Sequence, residues 1–219
     1  VKPDLLVFSK DRPAQLDLLL RSIREHANRL YASRTVLWRA SAPEYEHGYQ
    51  VCVAENPGWT WWREYAFEQN VRWWLSQTGE TCSFLVDDDV FYRDAPAGVD
   101  PPCSLRGGDY DYPFSLDGNV YRSADVAALL EGVRFTDPTE MEARGHELRE
   151  RLPFDHVVPV QPPCLVGVPA NRVSTSSRMP HMGVHEYELN ERYLAGGRLR
   201  PVEAERPLPA HAELGYLWA

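Results

Sequence analysis

Short apolar runs alternate with amphipathic stretches over the first half of the chain. Leu5-Leu6-Val7-Phe8 is too short for a helix and reads as a buried strand. The polar residues Ser9-Lys10-Asp11-Arg12 leave it, and Pro13 suits the first turn of a helix. Leu16, Leu19, Leu20 and Ile23 follow at helical spacing. Thr35-Val36-Leu37-Trp38 predicts a second strand and residues 49–53 a third, before a turn at Asn56-Pro57-Gly58. Residues 61–76 predict a helix with a heavy apolar surface from Trp62, Tyr65, Ala66, Val71, Trp73 and Trp74. Phe84-Leu85-Val86 is the fourth strand. Strands alternating with helices through short loops imply an α/β fold with a mainly parallel sheet flanked by helices.

The second half is less regular. Residues 112–121 alternate weakly and predict a strand that enters a turn at Asp117-Gly118-Asn119. Residues 123–130 predict a helix capped by Ser123, and 139–152 another. A short strand is expected at 164–168, a loop at 172–185, and a helix at 186–195 that stops at Gly196-Gly197. The segment after Pro201 is rich in Pro and Ala and is expected to run extended across the surface.

Composition narrows the class. A chain of 219 residues supports one sizeable core, so 1–219 is expected to form one domain. The formal net charge of −9 and the lack of a basic run argue against nucleic-acid binding. No apolar stretch reaches membrane-spanning length, and the first residues do not resemble a signal peptide. Cys52, Cys82, Cys103 and Cys164 form no CxxC pair and suit buried thiols in a reducing compartment, so a cytoplasmic location is expected.

The chemistry concentrates at Asp87-Asp88-Asp89, directly after the fourth strand and before Val90-Phe91-Tyr92. Three adjacent carboxylates repel unless water or a cation offsets them. Oxygen ligands of this kind suit Mg²⁺ or Mn²⁺, which take one or two protein carboxylates together with substrate phosphates. An acidic, solvated turn is the alternative.

Five segments together carry a family resemblance. They are Phe8-Ser9-Lys10-Asp11-Arg12-Pro13, Phe84 to Phe91 around the triplet, Asp117-Gly118-Asn119-Val120-Tyr121-Arg122, Phe135 to Glu142, and Glu188 to Gly196. In order and spacing the chain resembles the GT-A nucleotide-sugar glycosyltransferases, especially small bacterial enzymes of the family 2 type. The resemblance implies a GT-A, Rossmann-like fold: 1–95 as the nucleotide-binding half, 96–200 as the donor-sugar and acceptor half, and 201–219 as a tail. It implies transfer of a hexosyl or related sugar from a nucleoside-diphosphate donor to an acceptor hydroxyl, with inversion by family analogy. The acceptor would be a glycan, a lipid-linked glycan or a small molecule.

By the same resemblance Asp89 ligates the divalent metal, with Asp87 beside it and nearer the ribose or base, and His185 as a late ligand. Ser9, Asp11, Arg12 and Asp88 fall to the nucleotide and Asp117 to the donor sugar; independently of the resemblance, Arg178 and Arg172 suit diphosphate oxygens because a guanidinium matches phosphate geometry, with plain surface arginines as the alternative. Glu142 or Glu140 is the base, with Asp155 in reserve. Relatives carry an acidic pair after an early strand where this chain has only Glu55. Several residues also have plain structural readings. Asp11 suits a helix cap, Asp117-Gly118-Asn119 an ordinary turn, and Thr139 with Glu142 a capping box. Trp59 and Trp61 are candidates for the cleft mouth. A nucleotidyltransferase is a rival, although Ser9 to Pro13 lacks the glycines such enzymes use to cradle phosphates. A glycan- or nucleotide-binding module without turnover is the other.

Overall fold

Leu5 and Val7 point to one side of their strand and Leu6 and Phe8 to the other, and all four are buried. This strand, β1 (Asp4–Lys10), is the centre of a layered structure. On one side lie Leu16, Leu19, Leu20 and Ile23 of helix α1 (Pro13–His26). On the other lie Phe67, Val71 and Trp74 of helix α3 (Phe67–Gln77). The computed structural model describes residues 1–108, 111–169, 184–200, 202–204, 206–212 and 218.

β1 pairs in parallel with β2 (Ser33–Arg39) and β4 (Thr81–Val86), and β2 pairs in parallel with β3 (Thr60–Arg63). The seven-stranded sheet has the order β3-β2-β1-β4-β7-β6-β8. Here β6 is Cys103–Ser104, β7 is Asn119–Arg122 and β8 is Val158–Pro159. β7 is antiparallel to β4 and to β6, while β6 and β8 are parallel. The 3-2-1-4 order with helices on both faces is the α/β, Rossmann-like arrangement expected from the sequence. Two further strands, β5 (Asp89–Phe91) and β9 (Leu165–Gly167), pair antiparallel in a small second sheet. α4 (Ser123–Leu129), α5 (Pro138–Glu147) and α6 (Glu186–Leu194) complete the described helices.

Residues 49–53 are not a strand. They lie within helix α2 (Pro43–Glu55), where Gly48, Tyr49 and Cys52 form the buried side. The β-branched pair Val51 and Val53 favours a strand locally, but Pro43 at the start and Glu44 and Glu46 in the first turn favour a helix. The helix expected over 61–76 divides. Trp61 packs on one face of the sheet and Trp62 on the other, so pairing with β2 takes 60–63 into the edge strand β3. Helix α3 starts only at Phe67. The strand expected over 112–121 forms only at its end, as β7. Ser123 lies inside α4 and makes no capping bond. The 139–152 helix ends at Glu147 and closes in a 3₁₀ turn at Arg149–Arg151. Part of the C-terminal segment departs from the surface path: Ala210 is buried, and the backbone at His211 bridges to Gly167 of β9. All four cysteines are buried and free, and no described helix is long and apolar enough to cross a membrane.

Gly48 is where α2 meets α1 and α6, because a Cβ there would run into Pro13 and Asn190. Gly48→Ala is therefore expected to cost ~1–3 kcal/mol, the usual range for overpacking. Urea denaturation with an unchanged midpoint would show that this junction has room to spare.

Candidate functional site

Phe8 of β1 stands opposite Val86 of β4, so the residues after each strand emerge together at the carboxyl edge of the sheet. Ligands of open α/β sheets gather at this edge. Asp87 is buried there and receives three donors. Ser9 Oγ donates to Oδ2 at 2.8 Å, the Lys10 N–H to the same oxygen at 3.2 Å, and Arg12 Nη1 to Oδ1 at 2.9 Å. Ser9 has a single hydroxyl proton and spends it on Asp87, so the Tyr49 hydroxyl, 2.7 Å away, donates to Ser9 Oγ. The Tyr49 oxygen in turn accepts the Arg12 N–H at 3.2 Å. Burial pushes the Asp87 carboxyl up to about 6; Arg12 opposes the rise and Asp88 adds to it.

Asp88 is the outward member of the triplet, its side chain 21% accessible, with Arg12 Nη1 at 3.4 Å. Asp89 is fully buried at the start of β5. Its Oδ2 accepts the Val86 N–H at 3.0 Å, while Oδ1 makes no hydrogen bond and faces Arg106 Nη2 at 3.5 Å. Burial raises its pKa well above the carboxylate range against the pull of Arg106.

Arg106, just after β6, extends the network into the second half of the chain. Nη1 donates to Asp117 Oδ2 at 2.6 Å, and Nη2 lies 3.2 Å from His211 Nδ1. Asp117 precedes Gly118, whose φ of +88° lets the chain turn tightly into β7. Next to this turn Glu142 Oε1 accepts the Leu116 N–H at 2.9 Å. Burial, then the charge of Asp117, pushes the Glu142 carboxyl up to about 7, and Arg106 draws it down.

Glu142 is available for this contact because the start of α5 is capped by other residues. Asp137 is the cap, accepting the Glu140 N–H at 2.8 Å. Glu140 reaches back to the Thr136 N–H and hydroxyl, both at 2.9 Å. The capping box thus lies two residues earlier than the Thr139–Glu142 pairing read from the sequence. Glu140 is committed to the cap, and Thr136 holds its pKa low.

The remaining candidates are engaged elsewhere, are exposed, or lie outside the described residues. Asp11 is buried at φ +58°, a left-handed conformation that Asp tolerates better than most residues. Its carboxylate accepts the Ser41 N–H at 2.6 Å, tying the β1–α1 loop to the β2–α2 loop rather than capping α1. Glu55 ends α2, which runs back toward the amino edge of the sheet, and it pairs with Arg198. Trp59 precedes β3 at that same edge, and Trp61 donates to Asn56 O. His185 is exposed at the N-cap position of α6, and Asp155 is exposed in a loop. Arg178 and Arg172 lie outside the described residues. Tyr49, Arg106 and His211 are the site residues that the sequence reading missed. A lone arginine after the apolar Cys103-Ser104-Leu105 run was the one local sign of Arg106.

Asp88 and Asp89 offer hard oxygen donors that would suit a divalent ion, while Asp87 Oδ2 already accepts two hydrogen bonds, from Ser9 and Lys10, and Oδ1 one, from Arg12. The buried Asp89 Oδ1 without a hydrogen bond is the observation that favours an ion. Among the described residues no group of three His, Cys, Asp or Glu side chains stands ready to hold a metal. Two carboxylates would leave the other positions to phosphate and water, a usual arrangement for Mg²⁺.

No family model matches the sequence, and no curated protein matches it. Among solved structures the chain is similar to S. aureus TarS, at 13% identity and a TM-score of 0.45. The similarity covers 75% of this chain and 36% of that one.

Folding disfavours the charged form of Asp87, because its carboxyl is raised from the ordinary value near 4 to about 6. Stability is therefore lost as pH rises through that window. Removing Arg12 withdraws the opposing cation and enlarges this loss. Arg12→Met is expected to cost ~3–5 kcal/mol at pH 8, the range for leaving one partner of a buried pair, and much less at pH 4. Equal losses by urea unfolding at the two pH values would dissociate Arg12 from the charge of Asp87.

Proposed function

We propose that this chain transfers a sugar from a nucleoside-diphosphate donor to an acceptor hydroxyl, with inversion at the anomeric carbon. The observation that carries the reading is the network Asp89–Arg106–Asp117, with Glu142 bonded to the Leu116 N–H beside Asp117. It joins a carboxylate cluster at the sheet edge to a separate carboxylate of raised proton affinity. A displacement at a sugar carbon needs both parts, one to manage the charge of the departing diphosphate and one to take a proton.

Glu142 is the base in this reading. Its carboxyl, near 7, matches the working range of a general base at neutral pH. The acceptor oxygen bonds to the anomeric carbon, its proton passes to Glu142, and the bond to the diphosphate oxygen breaks with its electron pair leaving on the phosphate. The Leu116 N–H holds one carboxylate oxygen of Glu142 in place for this transfer. Ser9, Tyr49 and Arg12 tie Asp87 to the loop after β1, at the sheet edge where the donor would bind. Asp88 and Asp89 would hold Mg²⁺ or Mn²⁺, which supplies Lewis-acid stabilisation of the leaving diphosphate when bound.

A thermal-shift screen of nucleoside diphosphates, each with Mn²⁺ and with EDTA, tests the reading. A ligand at 100 times its Kd stabilises the folded state by ~2.7 kcal/mol, so a true partner raises the melting point measurably. At least one nucleotide is expected to do so with Mn²⁺ only, and Asp88→Ala to abolish the effect. Shifts that survive EDTA would remove the metal, and no shift at all would remove the nucleotide. Glu142→Gln should keep the shift while lowering turnover by ~10²–10⁴-fold, the share of a general base.

A further inference from the structure

Arg106 depends on a contact from far along the chain. Its guanidinium is buried, and its Nε has no hydrogen-bond partner. The plane of the group is therefore set by its two outer nitrogens. Nη1 is fixed by Asp117, while Nη2 lies between Asp89 Oδ1 at 3.5 Å and His211 Nδ1 at 3.2 Å. The distance to Asp89 is too long for a hydrogen bond, so His211 is the acceptor that fixes Nη2. A guanidinium only donates, so Nδ1 offers its lone pair and the ring proton sits on Nε2.

The backbone around His211 is shaped for this encounter. The Gly167 N–H donates to Ala210 O at 2.9 Å and the Ala212 N–H to Gly167 O at 3.0 Å, so residues 210–212 form a parallel bridge to the end of β9. The Leu208 N–H donates to the Tyr92 hydroxyl at 3.0 Å, and that hydroxyl donates to Pro163 O at 2.8 Å. Two glycines make room. A Cβ at Gly167 would collide with Arg106 Nη2 and His211 Nδ1, and one at Gly107 would come within 2.7 Å of Leu208 O.

We propose that His211 is the positioning residue of Arg106, delivered to the site by docking of residues 210–212 on β9. Arg106 is the cation shared by Asp89 and Asp117, so its orientation sets how charge is divided between the carboxylate triplet and the Glu142 side of the site. The importance of that division rests on the transfer reading, but the contact itself does not.

The test observes the Arg106 guanidinium directly by ¹⁵N NMR in the full chain. Held at both ends, it is expected to show separate Nη resonances, because rotation about its Cζ–Nε bond is blocked. His211→Ala should merge or broaden them. His211→Asn, whose Oδ1 can accept in place of Nδ1, should retain separate resonances. Amide exchange at Gly167 and Ala212 is followed in both variants to monitor the bridge between residues 210–212 and β9. Separate resonances in His211→Ala would overturn the proposal, as would equal loss in the two variants. Neither donor nor turnover enters this measurement, so its result is independent of whether the chain transfers sugars.

Discussion

Everything at the carboxyl edge of the sheet depends on neutralising carboxylates that the fold takes out of water. Asp87 and Asp89 are buried, and each has a guanidinium within reach, Arg12 for one and Arg106 for the other. Desolvation dominates both carboxyls and raises their proton affinity in spite of those partners. Breaking a buried pair of this kind leaves an uncompensated charge, which is far worse than never having built it. The two arginines come from opposite sides. Arg12 belongs to the loop after β1, and Arg106 follows β6 beyond the antiparallel strand β7. The carboxylate triplet is thus the point where the parallel and antiparallel parts of the structure are tied together electrostatically.

This arrangement also explains the division of labour between two glutamates on one helix. Asp137 and Glu140 close the cap of α5 between them, which is local chemistry. Glu142, two residues on, faces inward and meets the turn that carries Asp117. Their environments push their pKa values apart, Glu140 down through the Thr136 hydrogen bonds and Glu142 up through burial. The two carboxyls of one helix thus differ through their surroundings and not through residue type.

The parts that were legible in the sequence are those whose signals are local. β1, α1, β2 and β4 follow from apolar runs and helical spacing, and the triplet follows from its place after a strand. The helix α5 was legible in its existence, while its cap lies at Asp137, two residues before the Thr139 read from the sequence. The failures have tertiary causes. Val51-Cys52-Val53 looks like strand, yet packing of Tyr49 and Cys52 on α1 and α6 keeps it helical. Trp61 and Trp62 look like the start of a helix until β2 offers them an edge to pair with. Tyr49, Arg106 and His211 had no motif to mark them, because each enters the site through a partner distant in sequence: Ser9, Asp89 or Arg106 itself.

The bridge between Gly167 and His211 has a temporal side. Arg106 and His211 are separated by 105 positions. During synthesis at about 5–20 residues per second, the carboxylates and Arg106 leave the ribosome several seconds before the histidine does. Asp117 and then Glu142 follow Arg106 within that interval, and until His211 emerges the acceptor that fixes Nη2 is missing. The Arg106–His211 contact is thus among the latest in the site to become possible, and the charge network is complete only once the chain has been made as far as residue 211.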